Sequence, residues 1–245
     1  MNRFNLTPIV QQLLIACIVL FIGTFLLETR NINLNDYLAL HYPKNPLFKP
    51  WQMLTHMFMH GGFTHLLFNM VGLVSFGIVL ENFLGPKKFL TIFFISGFGA
   101  LFLHLTANAI QLYQLTHLWF PSPQDLDMMI DGNNIKTNSP IVKSQEALGQ
   151  ISGIIYSQTV GASGAIYGIV AAFAFLFPNT KLMFLFIPYP IKAKYFVPIF
   201  IAIDLYLGFG NFKWDPIAHF AHLGGALFGF ATVWYWRKFD KKNFF

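Results

Sequence analysis

The sequence predicts an all-α integral membrane protein, a bundle of six transmembrane helices with both termini on the cytoplasmic side. Three observations predict it. Of 245 residues, 55% are hydrophobic and only 11% charged, whereas a soluble domain carries about 25% charged residues. Such a chain cannot cover itself with polar surface. The apolar residues fall into six runs, most of them near the roughly 20 residues a helix needs to cross a bilayer. The basic residues, which give a net charge of +6, are scattered in short loops between these runs. That scatter fits membrane topology better than a nucleic-acid-binding face.

The first run, residues 8–27, holds the single cysteine, Cys17, so an intramolecular disulfide or a cysteine-based metal site is impossible. Glu28, Thr29 and Arg30 follow it in place of a small-residue cleavage site, which argues for a retained helix and not a signal peptide. The second and third runs cover 62–84 and 89–110. Residues 111–159 form the only long polar stretch, with turn signals at PSPQD and DGNN, and are expected to be a solvated outer loop, with a substrate or partner surface as the other reading. The fourth and fifth runs, 160–177 and 195–210, are short. Between them, KLMFLFIPYPIKAKY is too interrupted by proline to span and reads as an interfacial segment. The last run is 217–236. Neither an internal repeat nor a low-complexity tract is present, so residues 1–245 read as one membrane domain. Of the sixteen Lys and Arg, six (Arg30, Lys44, Lys49, Lys136, Lys143, Lys213) fall outside when the N-terminus is placed in the cytoplasm, and the other ten fall inside. That bias favours the N-in, C-in orientation.

Three polar groupings interrupt the apolar runs. In THMFMHGGFTHLLFNM, His56, His60, His65 and Asn69 approach and enter the second run. His65 and Asn69 are four apart and share a helix face, about 6 Å apart along the axis. Polar groups at such depth are costly unless paired and mark functional sites by default. His56 and His60 have a ligand-like spacing, but no HExxH is present and the acid of the second run, Glu81, lies at its far end. Histidines bonded to neighbouring backbone are the other reading of that pair.

The second grouping is GASGAIYG, residues 161–168. Gly164 and Gly168 form a GxxxG, and Gly161 with Ala165 forms a small-xxx-small pair. Taken alone, these spacings mean close helix packing. The third is DPIAHFAHLGGALFGF, where His219 and His222 enter the last run and Gly225 and Gly229 form a second GxxxG. At about 100° per residue, His222 lies about 40° from the centre of that glycine stripe and His219 about 100°. If the stripe packs on the fourth run, His222 points into the contact.

Together these residues can make a hydrolytic site. A serine hydroxyl becomes a nucleophile when a base about 3 Å away takes its proton. The carbonyl it attacks becomes an oxyanion that needs donors set in advance; the His65 imidazole, the Asn69 amide and the Ser163 N–H qualify. The second, fourth and sixth runs carry no acid beside these groups, and Asp204 in the fifth is the only carboxylate that looks buried. A Ser–His dyad is therefore expected, with Tyr167 on the Ser163 face stacking on His222 to orient it, or else simply packing.

GASG followed by Tyr167, HxxxN at His65 and Asn69, and AHLGGALFG after His222 together resemble the rhomboid family of intramembrane serine proteases. The resemblance covers nearly the whole chain. It implies a six-helix bundle whose active site opens to the non-cytoplasmic side, with Ser163 as nucleophile and His222 as general base, then acid. It implies an oxyanion hole with His65 and Asn69, support from Tyr167, and a structural His60. It also implies a membrane-dipping first loop at 30–59, a mobile cap near 209–217, transmembrane protein substrates entering past the second and fifth spans, and neither a metal nor an organic cofactor. Where the family has a Trp-Arg pair in the first loop, this chain has Trp51-Gln52. Asp204 and the 111–159 stretch are not part of the pattern. A catalytically inactive client-binding relative is the alternative, although such relatives typically lack the serine or the histidine. A transporter is disfavoured by the single intramembrane acid and the lack of inverted halves. The short ends suggest a minimal form in a bacterial inner membrane.

Overall fold

The computed structural model describes residues 5–131, 134–135, 145–184, 187–210 and 218–239. The expected cap beyond residue 210, and Arg3, Lys136, Lys143, Lys213, Lys241 and Lys242, lie outside the described residues. In chain order, helix α1 (Pro8–Glu28) is followed by α2 (Leu34–Leu38), strand β1 (Leu40–His41) and α3 (Gln52–Thr55). Two long helices come next, α4 (Phe63–Leu84) and α5 (Pro86–Thr116). After them come α6 (Pro123–Met129), β2 (Ile130–Asp131), β3 (Asn134–Ile135), α7 (Gln145–Tyr156) and β4 (Gln158–Thr159). The described elements end with α8 (Ser163–Leu176), β5 (Lys181–Phe184), β6 (Ile187–Lys192), α9 (Ala193–Gly210) and α10 (His219–Phe239).

Helix dominates, and three short antiparallel pairs, β1–β4, β2–β3 and β5–β6, modify the all-α expectation. The β5–β6 pair occupies the proline-interrupted segment between α8 and α9. Pro188 and Pro190 forbid a helix there, and extended chain tolerates them. Helices α1, α4, α5 and α9 are long and apolar enough to cross a membrane, and the chain is a multi-pass membrane protein. Helix α8, with 14 residues, is about 21 Å long, less than the roughly 30 Å hydrocarbon core. Helix α10 has 21 residues, but two histidines, Arg237 and Lys238 dilute its apolar content.

The chain divides into two compact units. The first comprises Met1–Ile22, Met57–His104 and Gly161–Phe245. Its central element is α8, where nine of 14 residues are buried, against three of 21 in α1. Small residues let its neighbours come close. A Cβ on Gly225 would overlap the carbonyl oxygen of Gly164, and one on Gly229 would overlap the backbone of Gly168. The two glycine pairs of α8 and α10 thus meet backbone to backbone. On another side, Gly164 faces Ala100 and Gly168 faces Ser96, both in α5. Glu81, buried in α4, accepts from the N–H groups of Ile9 and Val10, each at 2.9 Å. This carboxylate satisfies orphan donors at the positive end of α1, so its role is structural.

The second unit comprises Gly23–His56 and Leu105–Val160. Its core joins Tyr42, Leu112, Leu126, Leu148, Ile151 and Ile155. Described parts of the stretch expected to be a plain solvated loop, α6 and α7, therefore fold onto this core. Ala147, Leu148, Ile151 and Ile155 recur at helical spacing along α7 and are buried. Gln52, standing where the resemblance implies an arginine, ties the first loop. The fully buried Gln52 amide oxygen accepts from the N–H of His41 and of Lys49, both at 3.2 Å, and its nitrogen donates to the Leu47 carbonyl at 2.9 Å. His41 Nδ1 lies 3.1 Å from the Ala39 carbonyl and 3.3 Å from the same Gln52 oxygen. Both are acceptors, so Nδ1 carries the proton. Trp51 donates its indole N–H to the Tyr37 carbonyl at 2.9 Å.

Candidate active site

Ser163, His222, Tyr167, His60, His65, Asn69, Asp204 and His219 all belong to the first unit, whereas His56 belongs to the second. Gly161 has φ of +127°, a backbone conformation that only glycine adopts readily. A Cβ there would also lie 2.8 Å from the His65 ring. This turn delivers Ser163 as the first residue of α8. The first N–H to bond within that helix is that of Ile166, to the Ala162 carbonyl at 2.9 Å. The N–H groups of Ser163, Gly164 and Ala165 therefore leave the helix end as unspent donors.

The glycine seam brings the hydroxyl to the imidazole. Ser163 Oγ and His222 Nε2 are 2.9 Å apart, within the range in which a hydroxyl donates to an imidazole nitrogen. Tyr167, one turn beyond the serine, stacks on the His222 ring with centroids 4.1 Å apart and planes 8° from parallel. The close stack holds one face of the imidazole and limits its rotation.

The groups on and before α4 come together less fully. The His65 ring lies against Gly161 and meets the His60 ring edge-on at 5.2 Å. His60 Nδ1 lies 3.3 Å from the Phe58 carbonyl. Burial, and then the nearby His65, pushes the His60 imidazole down to about 4, so it stays neutral and supports the His65 ring. Asn69 turns one amide N–H back to the His65 carbonyl at 2.8 Å. An amide has two such donors, so one remains for a ligand. His56 Nδ1 bonds the Gln52 carbonyl at 2.8 Å, the backbone pairing that was the alternative to a metal ligand.

Two residues extend the site beyond what the sequence suggested. The expectation set Asp204 apart from the reacting groups. Its buried Oδ1 instead lies 2.5 Å from His219 Nδ1 and 3.4 Å from His222 Nδ1. A lone acid in an apolar run needs a partner, and that signal could have pointed to these histidines. The sequence cannot show which face of α9 meets α10. Asp204, His219 and His222 also offer ligand-type atoms within 4.8 Å of one another. Two atoms sharing a tetrahedral zinc would stand about 3.3 Å apart, given bonds of about 2.0–2.1 Å. The 2.5 Å separation of His219 from Asp204 is that of a hydrogen bond.

The family profile described as Rhomboid domain matches residues 48–120 and 136–239. Rhomboid protein 1, mitochondrial, of Saccharomyces cerevisiae is 27% identical over 187 residues, covering 76% of this chain and 42% of that protein. An uncharacterized mitochondrial rhomboid protein of Schizosaccharomyces pombe is 31% identical over 204 residues, 73% of this chain and 48% of its own length. The human presenilin-associated rhomboid-like protein, mitochondrial, is 26% identical over 195 residues, 78% of this chain and 39% of that protein. The chain spans less than half the length of these relatives.

Proposed function

We propose, from the premise that this chain belongs to the rhomboid family, that it is a serine endopeptidase cleaving transmembrane or membrane-adjacent segments of other proteins. The observation that carries the reading is the 2.9 Å separation of Ser163 Oγ and His222 Nε2. His222 Nε2 takes the hydroxyl proton as Oγ attacks the scissile carbonyl. The proton then passes from Nε2 to the departing amine, leaving an acyl-enzyme. Water attacks that ester, again through His222, and Ser163 regains its hydrogen. The oxyanion formed in each half is met by the Ser163 N–H, the free amide hydrogen of Asn69 and the His65 ring. Tyr167 keeps the base in plane.

Six spans fit this chemistry, with the short α8 as the inner helix and α10 packed on it along the glycine seam. Both termini lie in the cytoplasm, and the site opens to the other side of the bilayer. The relatives carry mitochondrial names; fractionation of the tagged chain decides the compartment.

The test is labelling of detergent-purified protein with a fluorophosphonate probe, beside cleavage of a reconstituted transmembrane substrate. Wild type should label and cleave. Ser163→Ala should do neither while unfolding at the wild-type temperature. Wild type that folds yet resists the probe and leaves every substrate intact would sink the peptidase reading in favour of a client-binding relative.

A further inference from the structure

Asp204 takes part in none of the steps above, yet it is the only acid among the described residues of α9 and touches the proposed base. We propose that Asp204 is a positioning residue for the reaction. Its carboxylate holds His222 in the Nδ1–H form and balances the charge that the ring gains on taking the Ser163 proton, while His219 holds the carboxylate in place. The inference rests on the peptidase reading.

The geometry assigns the protons. An ionised carboxylate only accepts hydrogen bonds. A single oxygen, Oδ1, lies 2.5 Å from His219 Nδ1 and 3.4 Å from His222 Nδ1, so each ring presents a proton to it. With its hydrogen on Nδ1, His222 offers the bare Nε2 pair to the serine at 2.9 Å. The other tautomer would place N–H against the hydroxyl and leave the base blocked. When Nε2 takes the serine proton, both ring nitrogens carry hydrogen, and the new positive charge lies beside a carboxylate that stays ionised. The 3.4 Å contact is long for a resting hydrogen bond, and catalytic contacts of this kind tighten once charge develops.

One feature separates this role from a plain tie between α9 and α10. His219 alone would make that tie, through its 2.5 Å bond, without the second ring. The Tyr167 side chain, stacked on His222, also reaches the carboxylate, so the acid and the aromatic ring bear on the same imidazole.

The experiment compares wild type, Asp204→Asn, Asp204→Glu and Ser163→Ala by the rate of fluorophosphonate labelling at saturating probe. It also measures kcat and KM on a reconstituted transmembrane substrate, with melting temperature recorded for each. Asn keeps the shape and removes the charge. It should cut both the labelling rate and kcat by about tenfold or more, leave KM within about twofold, and leave melting unchanged. Glu should restore part of the loss. A tie without chemistry would instead lower melting while the folded fraction labels at the wild-type rate, and that result overturns the proposal. So does Asp204→Asn labelling at the full rate. If Asp204→Asn does not accumulate in the membrane, His219→Asn is read in the same assays. There a labelling rate equal to wild type overturns the proposal, and a drop with KM unchanged supports it. Failure of wild type to label at Ser163 would count against the peptidase reading itself, a distinct outcome.

Discussion

Gln52 and Asp204 are both buried polar side chains in a chain dominated by apolar residues, and they use their hydrogen bonds in opposite ways. Gln52 meets backbone: the N–H groups of His41 and Lys49 and the carbonyl of Leu47. Asp204 meets side chains, the rings of His219 and His222. A backbone group cannot change its protonation, so a residue satisfied by backbone can only fix the path of the chain. An imidazole can gain or lose a proton, so a residue satisfied by imidazoles can act in chemistry. Each region belongs to its own compact unit, and the kind of partner, more than the depth of burial, separates scaffold from reaction centre.

The largest effect is expected where the reaction centre is assembled. Gly225→Val puts a branched side chain where even a Cβ would overlap the Gly164 carbonyl, so α10 must move away from α8 or the protein must misfold. Overpacking of this kind costs about 1–3 kcal/mol or more. A shift of 1 Å between reacting groups costs about 10²-fold in rate. Labelling of Ser163 should fall by at least that factor in whatever fraction folds. A Gly225→Val protein that labels at the wild-type rate would show that the seam does not set the distance.

Gln52→Leu breaks the other half of the comparison. It removes one amide and strands the N–H groups of His41 and Lys49 and the Leu47 carbonyl. The His41 N–H is buried, and a buried group left unpaired costs about 1–3 kcal/mol, whereas water can reach the exposed Leu47 and Lys49, so the melting temperature should fall below that of wild type. The folded fraction should still label at the wild-type rate at a temperature below both transitions. Loss of labelling without loss of stability would mean that Gln52 acts on the site and that backbone partnership is a poor guide to role.

These two regions also differ in how far the sequence revealed them. The Ser163–His222 approach was legible because two GxxxG spacings on separate helices announce where backbones can meet, and a histidine at a known angle from one stripe must point near the contact. Asp204 was not legible as a partner. A lone acid on α9 carries no spacing that tells which neighbour it faces. The Gln52 bonds were unreadable for another reason: their partners are backbone groups, which every residue possesses, so no side-chain pattern marks them. The α7 stripe of Leu148, Ile151 and Ile155 was visible in principle. The polar residues around it drew the whole stretch into a loop assignment.

His60 lies between the two cases, with one backbone contact to Phe58 and one ring contact to His65. Burial and His65 hold its imidazole at about 4, against an ordinary 6.5. Burial lowers His56 as well. The folded state therefore resists protons that the unfolded chain accepts between those two values, and stability must rise with pH across that window. It is fully present above about 6.5 and lost as pH falls toward about 4. Each such group contributes a slope of at most about 1.4 kcal/mol per pH unit. Thermal unfolding from pH 4 to 7 should be less steep in pH for His60→Asn than for wild type. Equal slopes would remove His60 from the set of buried neutral rings.

Tyr167 tests whether the reaction centre depends on hydrogen bonds alone. Its ring lies 4.1 Å from that of His222 and nearly parallel to it, so it constrains the imidazole through a face that makes no hydrogen bond. Aromatic pairing of this kind contributes about 0.5–1.5 kcal/mol beyond burial, which corresponds to a two- to roughly tenfold change in the population of the correct ring orientation. Tyr167→Leu should slow Ser163 labelling by about that factor, with a small fall in melting temperature. Tyr167→Phe keeps the stack and removes the hydroxyl, and should label within about twofold of wild type if the ring face is what matters. If Phe proves as slow as Leu, the hydroxyl is the active part, and the base is oriented by polar contacts on every side. If both label at the wild-type rate, Ser163, His222 and Asp204 hold the geometry without the stack, and Tyr167 belongs with the packing of α8.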